Sequence, residues 1–140
     1  MDTAGLYAIA QQQNIPVLVY PMAQSGSMSV MTPSGACYVG MDPGVTGNRE
    51  KTHLAHELGH CVTGSFYNLY AAVDHRRRHE NRADKWAINQ LIPVEALDDA
   101  IAQGDTQLWE LAERFGVTEE FIKKAVCYHV HGNLATELYF

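Results

Sequence analysis

The feature that most constrains this chain is a His-Glu-x-x-His pattern, residues 56–60, within a segment that is predicted to be helical. Residues four apart on a helix share a face, so His56 and His60 can offer their imidazoles to one metal ion. Glu57 lies beside them, where a carboxylate can take a proton from a water molecule at the metal. The pattern therefore predicts a zinc hydrolase site, with His56 and His60 as ligands and Glu57 as the general base.

The apolar residues around this pattern support a helix. Leu54, Leu58, Cys61 and Val62 form an apolar stripe, whereas His53 lies with the two histidines and the glutamate on a different face. One side of the helix is therefore expected to face a core and the other side a site.

Length and composition are typical of one globular domain. The chain has 140 residues, of which 46% are hydrophobic and 19% are charged. We expect a single domain over residues 1–140, with an N-terminal helix and small sheet in 1–45, the metal-site helices in 46–92 and a C-terminal helical segment in 93–140. No apolar run approaches the roughly 20 residues of a membrane span, and the N-terminus lacks the basic and apolar regions of a signal peptide. These features predict a cytosolic protein without a membrane partner.

Charge and cysteine content argue against two further classes of protein, which are nucleic-acid binders and proteins held by disulfides or thiolate-bound zinc. A formal net charge of −6 argues against a general nucleic-acid binder, because phosphate contacts need clustered Lys and Arg, so the expected partner is a protein. The cysteines Cys37, Cys61 and Cys127 are odd in number, far apart and without a Cys-x-x-Cys pair. This pattern predicts neither a disulfide framework nor a thiolate zinc site, and we expect all three to be reduced and packed.

The N-terminal third predicts one helix followed by a small sheet. Apolar spacing indicates a helix over residues 2–13, and a short β-branched run indicates a strand over 17–20. Residues 27–31 and 37–41 alternate on either side of a Pro-Ser-Gly turn, which is typical of a hairpin. We expect an α+β fold in which a small antiparallel sheet packs with helices, and in which residues 38–41 form an edge strand that a peptide can join.

A second strong helix is predicted over residues 80–91. Glu80 and Asp84 point the same way as Ala83 and Ala87. Carboxylates on a helix face that packs through alanines indicate a binding partner for them at that face. Small residues let this helix approach the first one, so Glu80 can be the third metal ligand and Asp84 can accept the second N–H of a liganding histidine. Glu80 is preferred as the ligand because it stands at the expected helix start, where a longer side chain can extend. The alternative is that Glu80 and Asp84 lie on a solvated face, and that the alanines are present only because alanine has a high helix propensity.

The C-terminal segment contains a pattern that looks like a helix-turn-helix. Helices are predicted over 107–115 and 119–129, with glycine in the turn between them. Residues 105–131 carry five carboxylates and three basic residues, a net charge of −2, and Glu119 and Glu120 would lie nearest the phosphates. A DNA-binding regulator therefore remains an alternative function, as does a zinc-bearing interaction module without catalysis, and we expect no sequence-preferring binding to duplex DNA.

Three stretches of the sequence together resemble the ImmA/IrrE family of metallo-endopeptidases, which bacteria encode with phages and mobile elements. They are LAHELGH at 54–60, ENRADKWA at 80–87 and LIP at 91–93, within a resemblance that extends from about residue 49 to the C-terminus. The resemblance implies a zincin-like domain in which His56, His60 and Glu80 bind one zinc ion and Glu57 is the catalytic acid and base. It also implies that Asp84 supports a histidine ligand.

The resemblance further implies a substrate. Members of the family cleave helix-turn-helix repressors, so a repressor of a phage or mobile element is the expected protein partner. The residue that would stabilise the oxyanion stays open between four side chains, which are His79, Tyr67, Tyr70 and Tyr128.

Overall fold

The computed structural model describes residues 1–68 and 70–136. Over these residues the architecture is α+β, as predicted, with one helix and three consecutive strands in the N-terminal third, followed by helices. None of the helices in the described ranges is both long and apolar enough to cross a membrane. The elements, in chain order, are α1 (Thr3–Gln12), β1 (Val17–Val19), β2 (Ser27–Met31), β3 (Cys37–Met41), α2 (Gly47–Thr63), α3 (Val73–Leu91), α4 (Val94–Ala102), α5 (Leu108–Phe115) and α6 (Glu119–His131).

The three strands form a mixed sheet in the order β1-β3-β2. β2 and β3 are the predicted antiparallel hairpin, in which Ser27 pairs with Met41 and Met31 with Cys37. The expectation of a wholly antiparallel sheet is wrong, because β1 runs parallel to β3. The hairpin turn fixes only the β2–β3 pairing, and the connection from β1 leads across the sheet to its far edge. The expected substrate edge at residues 38–41 is wrong for the same reason, since β3 lies in the centre and β1 and β2 are the edges.

Helix α3 begins at Val73, about two turns earlier than the sequence predicts. Residues 74–80 are all charged or histidine, so they show no apolar period that would identify a helix. Asp74 stands in the first turn, where its negative charge is favourable near the helix N-terminus. Glu80 therefore lies inside a helix and not at its start, and the reason given for preferring it as a ligand is wrong.

Helix α2 is the centre of the core. It packs against α3 on one side and against β2 and β3 on the other. Leu54 and Leu58 of α2 are fully buried, as are Ile88 of α3 and Val39 of β3. Each buried leucine of this kind stabilises the fold by about 2 kcal/mol. Burial of the apolar side of α2 therefore fixes the rotation of the helix, and with it the direction of the polar side.

Helices α2 and α3 approach closely at Gly59. A Cβ atom added at this residue would lie 2.5 Å from the carbonyl oxygen of Ala83 and 3.1 Å from its Cα atom. These are backbone atoms of the opposite helix, so the clash cannot be relieved by a side-chain rotation. The glycine and the alanine together allow the contact that brings the polar faces of the two helices to one point.

We therefore expect Gly59→Ala to lower the free energy of unfolding by about 1–3 kcal/mol, although alanine favours helix by about 1 kcal/mol. Urea unfolding monitored by circular dichroism measures the change. Gly5→Ala in α1 is the matched control, because its added Cβ meets mainly the flexible side chain of Met1. Equal stability of the Gly59 variant and wild type would show that the two helices are not in contact there.

Two of the three cysteines form a disulfide, which corrects the expectation that all are reduced. Cys37 at the start of β3 is bonded to Cys61 near the end of α2, with Cα atoms 5.8 Å apart. The two cysteines are 24 positions apart in the sequence, and no local pattern predicts their pairing, because only the packing of α2 on the sheet brings them together. Cys127 is buried, as predicted. Disulfides are rare in cytosolic proteins, so a cytosolic location requires that this bond be reduced in the cell.

Reduction of the disulfide is expected to lower stability by about 3 kcal/mol, because it releases a loop of this length in the unfolded chain. For a chain of this size the melting temperature should fall by roughly 10 °C. Calorimetry with and without dithiothreitol measures the shift. The double variant Cys37→Ser/Cys61→Ser is the control, since its melting temperature should not respond to the reductant. A wild-type melting temperature that is unchanged after mass spectrometry has verified reduction would contradict this expectation.

The C-terminal helices α5 and α6 are joined through Gly116, which adopts the left-handed conformation with φ of 66°. Thr118 caps α6, and the apolar face of α6, with Phe121 and Ile122, is buried. The amine of Lys51 in α2 donates to the carbonyl of Phe115 over 2.6 Å. One face of this helix-turn-helix-like segment therefore packs on the metal-site helices, and the absence of DNA binding stays a prediction.

Candidate metal centre

The polar faces of α2 and α3 bring three ligand atoms to one point. The Nε2 atoms of His56 and His60 lie 3.2 Å apart. Glu80 Oε2 lies 2.8 Å from the first and 3.0 Å from the second. These residues form a group that can hold a metal ion. The three side chains predicted as ligands are thus together, although the helix that carries Glu80 begins earlier than expected.

The second nitrogen of each histidine is held by an acceptor. His56 Nδ1 lies 2.7 Å from Asp84 Oδ1, and His60 Nδ1 lies 2.5 Å from the carbonyl oxygen of Ser65. A carboxylate and a carbonyl can only accept, so both Nδ1 atoms must carry hydrogen. A neutral ring with hydrogen on Nδ1 has a free lone pair on Nε2, and in both histidines this lone pair points toward Glu80. This is the tautomer that a metal requires. Asp84 thus has the hydrogen bond that the sequence predicts for it.

The geometry of the three atoms fits zinc. Ligand atoms at about 2.0–2.1 Å from a tetrahedral ion are roughly 3.3 Å apart, close to the distances in this group. Two histidines and one glutamate leave a fourth position for water, which is typical of a catalytic site and not of a structural one.

The charges of the site also favour a cation. Burial lowers the pKa of His56, but its hydrogen bonds to Asp84 and Glu80 outweigh this effect and raise the pKa to about 10. Burial raises the pKa of Glu80, yet the two histidines and Tyr67 hold it well below its ordinary value. The point where the three ligand atoms meet therefore stabilises positive charge, and a metal ion supplies that charge without adding protons.

Asp84 connects the site to the C-terminal segment. Its carboxylate is buried, and its second oxygen accepts from Lys124 of α6 over 3.0 Å. Burial raises the pKa of Asp84, but His56 and then Lys124 lower it overall. No sequence pattern distinguishes Lys124, which is one of two adjacent lysines on α6, 40 positions from Asp84. The lysine keeps the carboxylate ionised and oriented toward His56.

Glu57 is buried and lies between α2 and the sheet edge. Ser27 Oγ donates to its Oε2 over 2.7 Å, and Ser29 Oγ donates to its Oε1 over 2.9 Å. Neither serine was predicted as part of the site. The available signal was their spacing, because positions 27 and 29 share one face of β2, opposite to Met28. The carboxylate expected to act as the base is thus anchored by the edge strand.

Of the four candidates for the oxyanion role, Tyr67 lies at the site. Its hydroxyl donates to Glu80 Oε1 over 2.7 Å, and this hydrogen bond raises the pKa of the phenol. Tyr70 is 96% exposed. His79 lies against His75, and the ring of Tyr128 faces the amine of Lys85. The proton that Tyr67 donates is therefore the one nearest the ligands.

A cleft of about 390 Å³ opens onto these groups. Its lining comes from β2, from the polar face of α2, from the segment after α2 and from α3. The metal ligands, Glu57 and Tyr67 all border it, so a bound molecule would meet them together.

The sequence profile of the peptidase M78 family, described as the IrrE N-terminal-like domain, matches residues 10–126. The chain belongs to this family. The match confirms the resemblance to the ImmA/IrrE peptidases, and it begins well before residue 49, so it includes the whole sheet. Among curated proteins, none matches the chain.

Membership in the M78 family agrees with the arrangement of the site. The family comprises zinc metallopeptidases, and the grouped His56, His60 and Glu80 lie within the matched residues. The two serines of β2 and Tyr67 lie within them as well. The chain is thus a member of a peptidase family whose fold carries a group of side chains suited to zinc.

Proposed function

We propose that the chain is a zinc-dependent endopeptidase. The observation that supports it most is the position of Glu57, a buried carboxylate with no place among the ligand atoms, in the same cleft as His56, His60 and Glu80. A zinc module without catalysis has no need for a second, separately anchored carboxylate. Hydrogen bonds from the buried Ser27 and the half-buried Ser29 hold Glu57 at the site.

The residues divide the chemistry among them. His56, His60 and Glu80 would hold the ion, which supplies a Lewis acid for the scissile carbonyl and increases the acidity of a water molecule. Glu57 takes the proton of the attacking water and passes it to the leaving amine. Asp84 and the Ser65 carbonyl keep both imidazoles in the tautomer that binds metal. Tyr67, next to Glu80, is the donor best placed to turn toward the developing negative charge.

The substrate is expected to bind as an extended chain along β2. This strand is an edge of the sheet, and its residues 27–29 border the cleft. A peptide that pairs with it would place its backbone beside Glu57 and the metal ligands. We propose that the physiological substrate is a helix-turn-helix repressor of a phage or mobile element, as expected from the resemblance, and that cleavage relieves repression.

A cytosolic location belongs to this proposal, because such a repressor acts on DNA inside the bacterial cell. The Cys37–Cys61 disulfide would be reduced there. Thiol labelling of the protein in intact cells before lysis tests the location through its redox state: two modified cysteines at positions 37 and 61 agree with it, and a quantitative disulfide contradicts it.

Cleavage of a purified helix-turn-helix repressor and of casein tests the function. We expect the purified repressor to be cut at one or a few bonds, as identified by mass spectrometry, in the presence of the zinc-loaded protein. A chelator should stop the reaction, and added zinc should restore it. Intact repressor together with intact casein after prolonged incubation with the zinc-loaded protein would contradict the endopeptidase proposal, whereas cut casein alone would contradict only the substrate.

A further inference from the structure

A chain of hydrogen bonds extends from Glu57 away from the metal ligands. Ser27 Oγ lies 2.7 Å from Glu57 Oε2 and also 2.7 Å from Nδ1 of His53. Ser27 is buried in β2, and His53 lies one turn before Glu57 on α2. The function of His56 and His60 does not account for His53, which shares their helix face but takes no part in the metal group.

The donors and acceptors in this chain have one consistent order. An ionised carboxylate can only accept, so the single hydroxyl hydrogen of Ser27 is directed to Glu57. The serine oxygen must then accept from His53, which requires hydrogen on Nδ1 of that ring. Burial and the charge of Arg49 lower the pKa of His53, so the ring is neutral near pH 7. A neutral ring with hydrogen on Nδ1 is the less common tautomer in water, and here its neighbours fix it.

The backbone around Ser27 is shaped for this contact. Gly26 has φ of 79°, a conformation that favours glycine, and a Cβ atom there would lie 3.1 Å from Cε1 of His53. The amide of Asp42 donates to the carbonyl of Gly26 over 2.9 Å, which ties this bend to the end of β3. The bend therefore sets the start of β2 directly against the imidazole.

We propose that His53 is a positioning residue for the catalytic base, acting through Ser27 to hold the Glu57 carboxylate toward the cleft. Ser29 fixes the other carboxylate oxygen, so the two serines and the histidine together restrict rotation of the side chain. The inference depends on the proposed function of Glu57 as the base. Because β2 is also the expected binding edge for the substrate, the strand that aligns the peptide is the one that aligns the base.

Turnover of variants tests the role. We expect Ser27→Ala and His53→Phe each to lower kcat on casein by roughly 10- to 100-fold, because the Glu57 carboxylate loses its orientation. KM and zinc content should be unchanged, because neither variant alters a metal ligand. His53→Asn, which can donate from nearly the same position as Nδ1, should retain most of the activity. The double variant Ser27→Ala/His53→Phe should be no slower than Ser27→Ala, since both changes break one chain. Ser34→Ala in the β2–β3 turn is the matched control with wild-type turnover.

A spectroscopic measurement tests the same chain without any substrate. In ¹⁵N-labelled zinc-loaded protein, the imidazole of His53 should give the chemical shifts of the Nδ1–H tautomer near pH 7. In Ser27→Ala these shifts should move to those of the Nε2–H tautomer, while the signals of His56 and His60 stay unchanged.

The outcomes separate this inference from the proposed function. An Nε2–H tautomer of His53 in wild type, or wild-type kcat in folded Ser27→Ala and His53→Phe, would overturn the positioning role even if the protein cleaves casein. Additive losses in the double variant would overturn it too, because they indicate two independent structural effects. The tautomer shift can still be observed if the protein proves not to be a peptidase, in which case the contact exists but has no base to position.

Discussion

Replacement of Glu57 by glutamine is expected to lower kcat by about 10²-fold or more while the fold and the bound zinc are retained. The amide fills nearly the same space and can still meet the hydroxyls of Ser27 and Ser29, but it cannot accept a proton from water. Glu57 contributes none of the three grouped ligand atoms, so metal content should not change. Initial rates on casein, together with zinc analysis of the same sample, measure both effects.

Glu50→Gln is the matched control for this variant, since Glu50 lies in the first turn of α2, away from the cleft lining. It should cleave at the wild-type rate. Near-normal turnover by folded, zinc-loaded Glu57→Gln would move the general base to another residue and would contradict the division of roles proposed here.

The second large effect separates the two carboxylates of α3. Glu80→Ala is expected to lose stoichiometric zinc, because Glu80 Oε2 is the atom within 2.8 and 3.0 Å of the two Nε2 atoms. Asp84→Asn should still bind zinc, with affinity or activity lowered by roughly 10- to 100-fold, because Asp84 meets the ligand group only through Nδ1 of His56, the nitrogen that faces away from the other two ligands. Titration with a chromophoric zinc chelator as competitor gives both affinities.

Each variant of this pair serves as the control for the other, since both remove one negative charge from the same helix. The opposite order of affinities, with Asp84→Asn metal-free and Glu80→Ala loaded, would require the two assignments to be exchanged. Equal affinities in both variants and wild type would place the metal elsewhere.

Helix periodicity was sufficient to predict the metal group. The spacing of His56 and His60 fixes a common face on α2, and the spacing of Glu80 and Asp84 fixes a common face on α3. Because local spacing determines these directions, the placement of Glu80 survived an error in where α3 begins. The small side chain of Ala83 correctly indicated a close approach of the two helices, which the contact with Gly59 provides.

The features that the sequence did not predict depend on contacts between distant segments. The Cys37–Cys61 disulfide and the parallel pairing of β1 with β3 both follow from how the sheet packs on α2, and no local pattern encodes that packing. The hydrogen bonds of Ser27 and Ser29 to Glu57 join residues 30 and 28 positions apart. Serines in an alternating strand look like solvent-facing residues until the element opposite them is known.

The zinc dependence of cleavage tests the central claim most directly. Elemental analysis and casein cleavage are measured on the same preparations of wild type, of His56→Ala and of wild type partly depleted with a chelator. We predict about one zinc per chain at full activity, activity proportional to zinc content during depletion, and neither zinc nor cleavage in His56→Ala. Undiminished cleavage by metal-free protein would contradict the account.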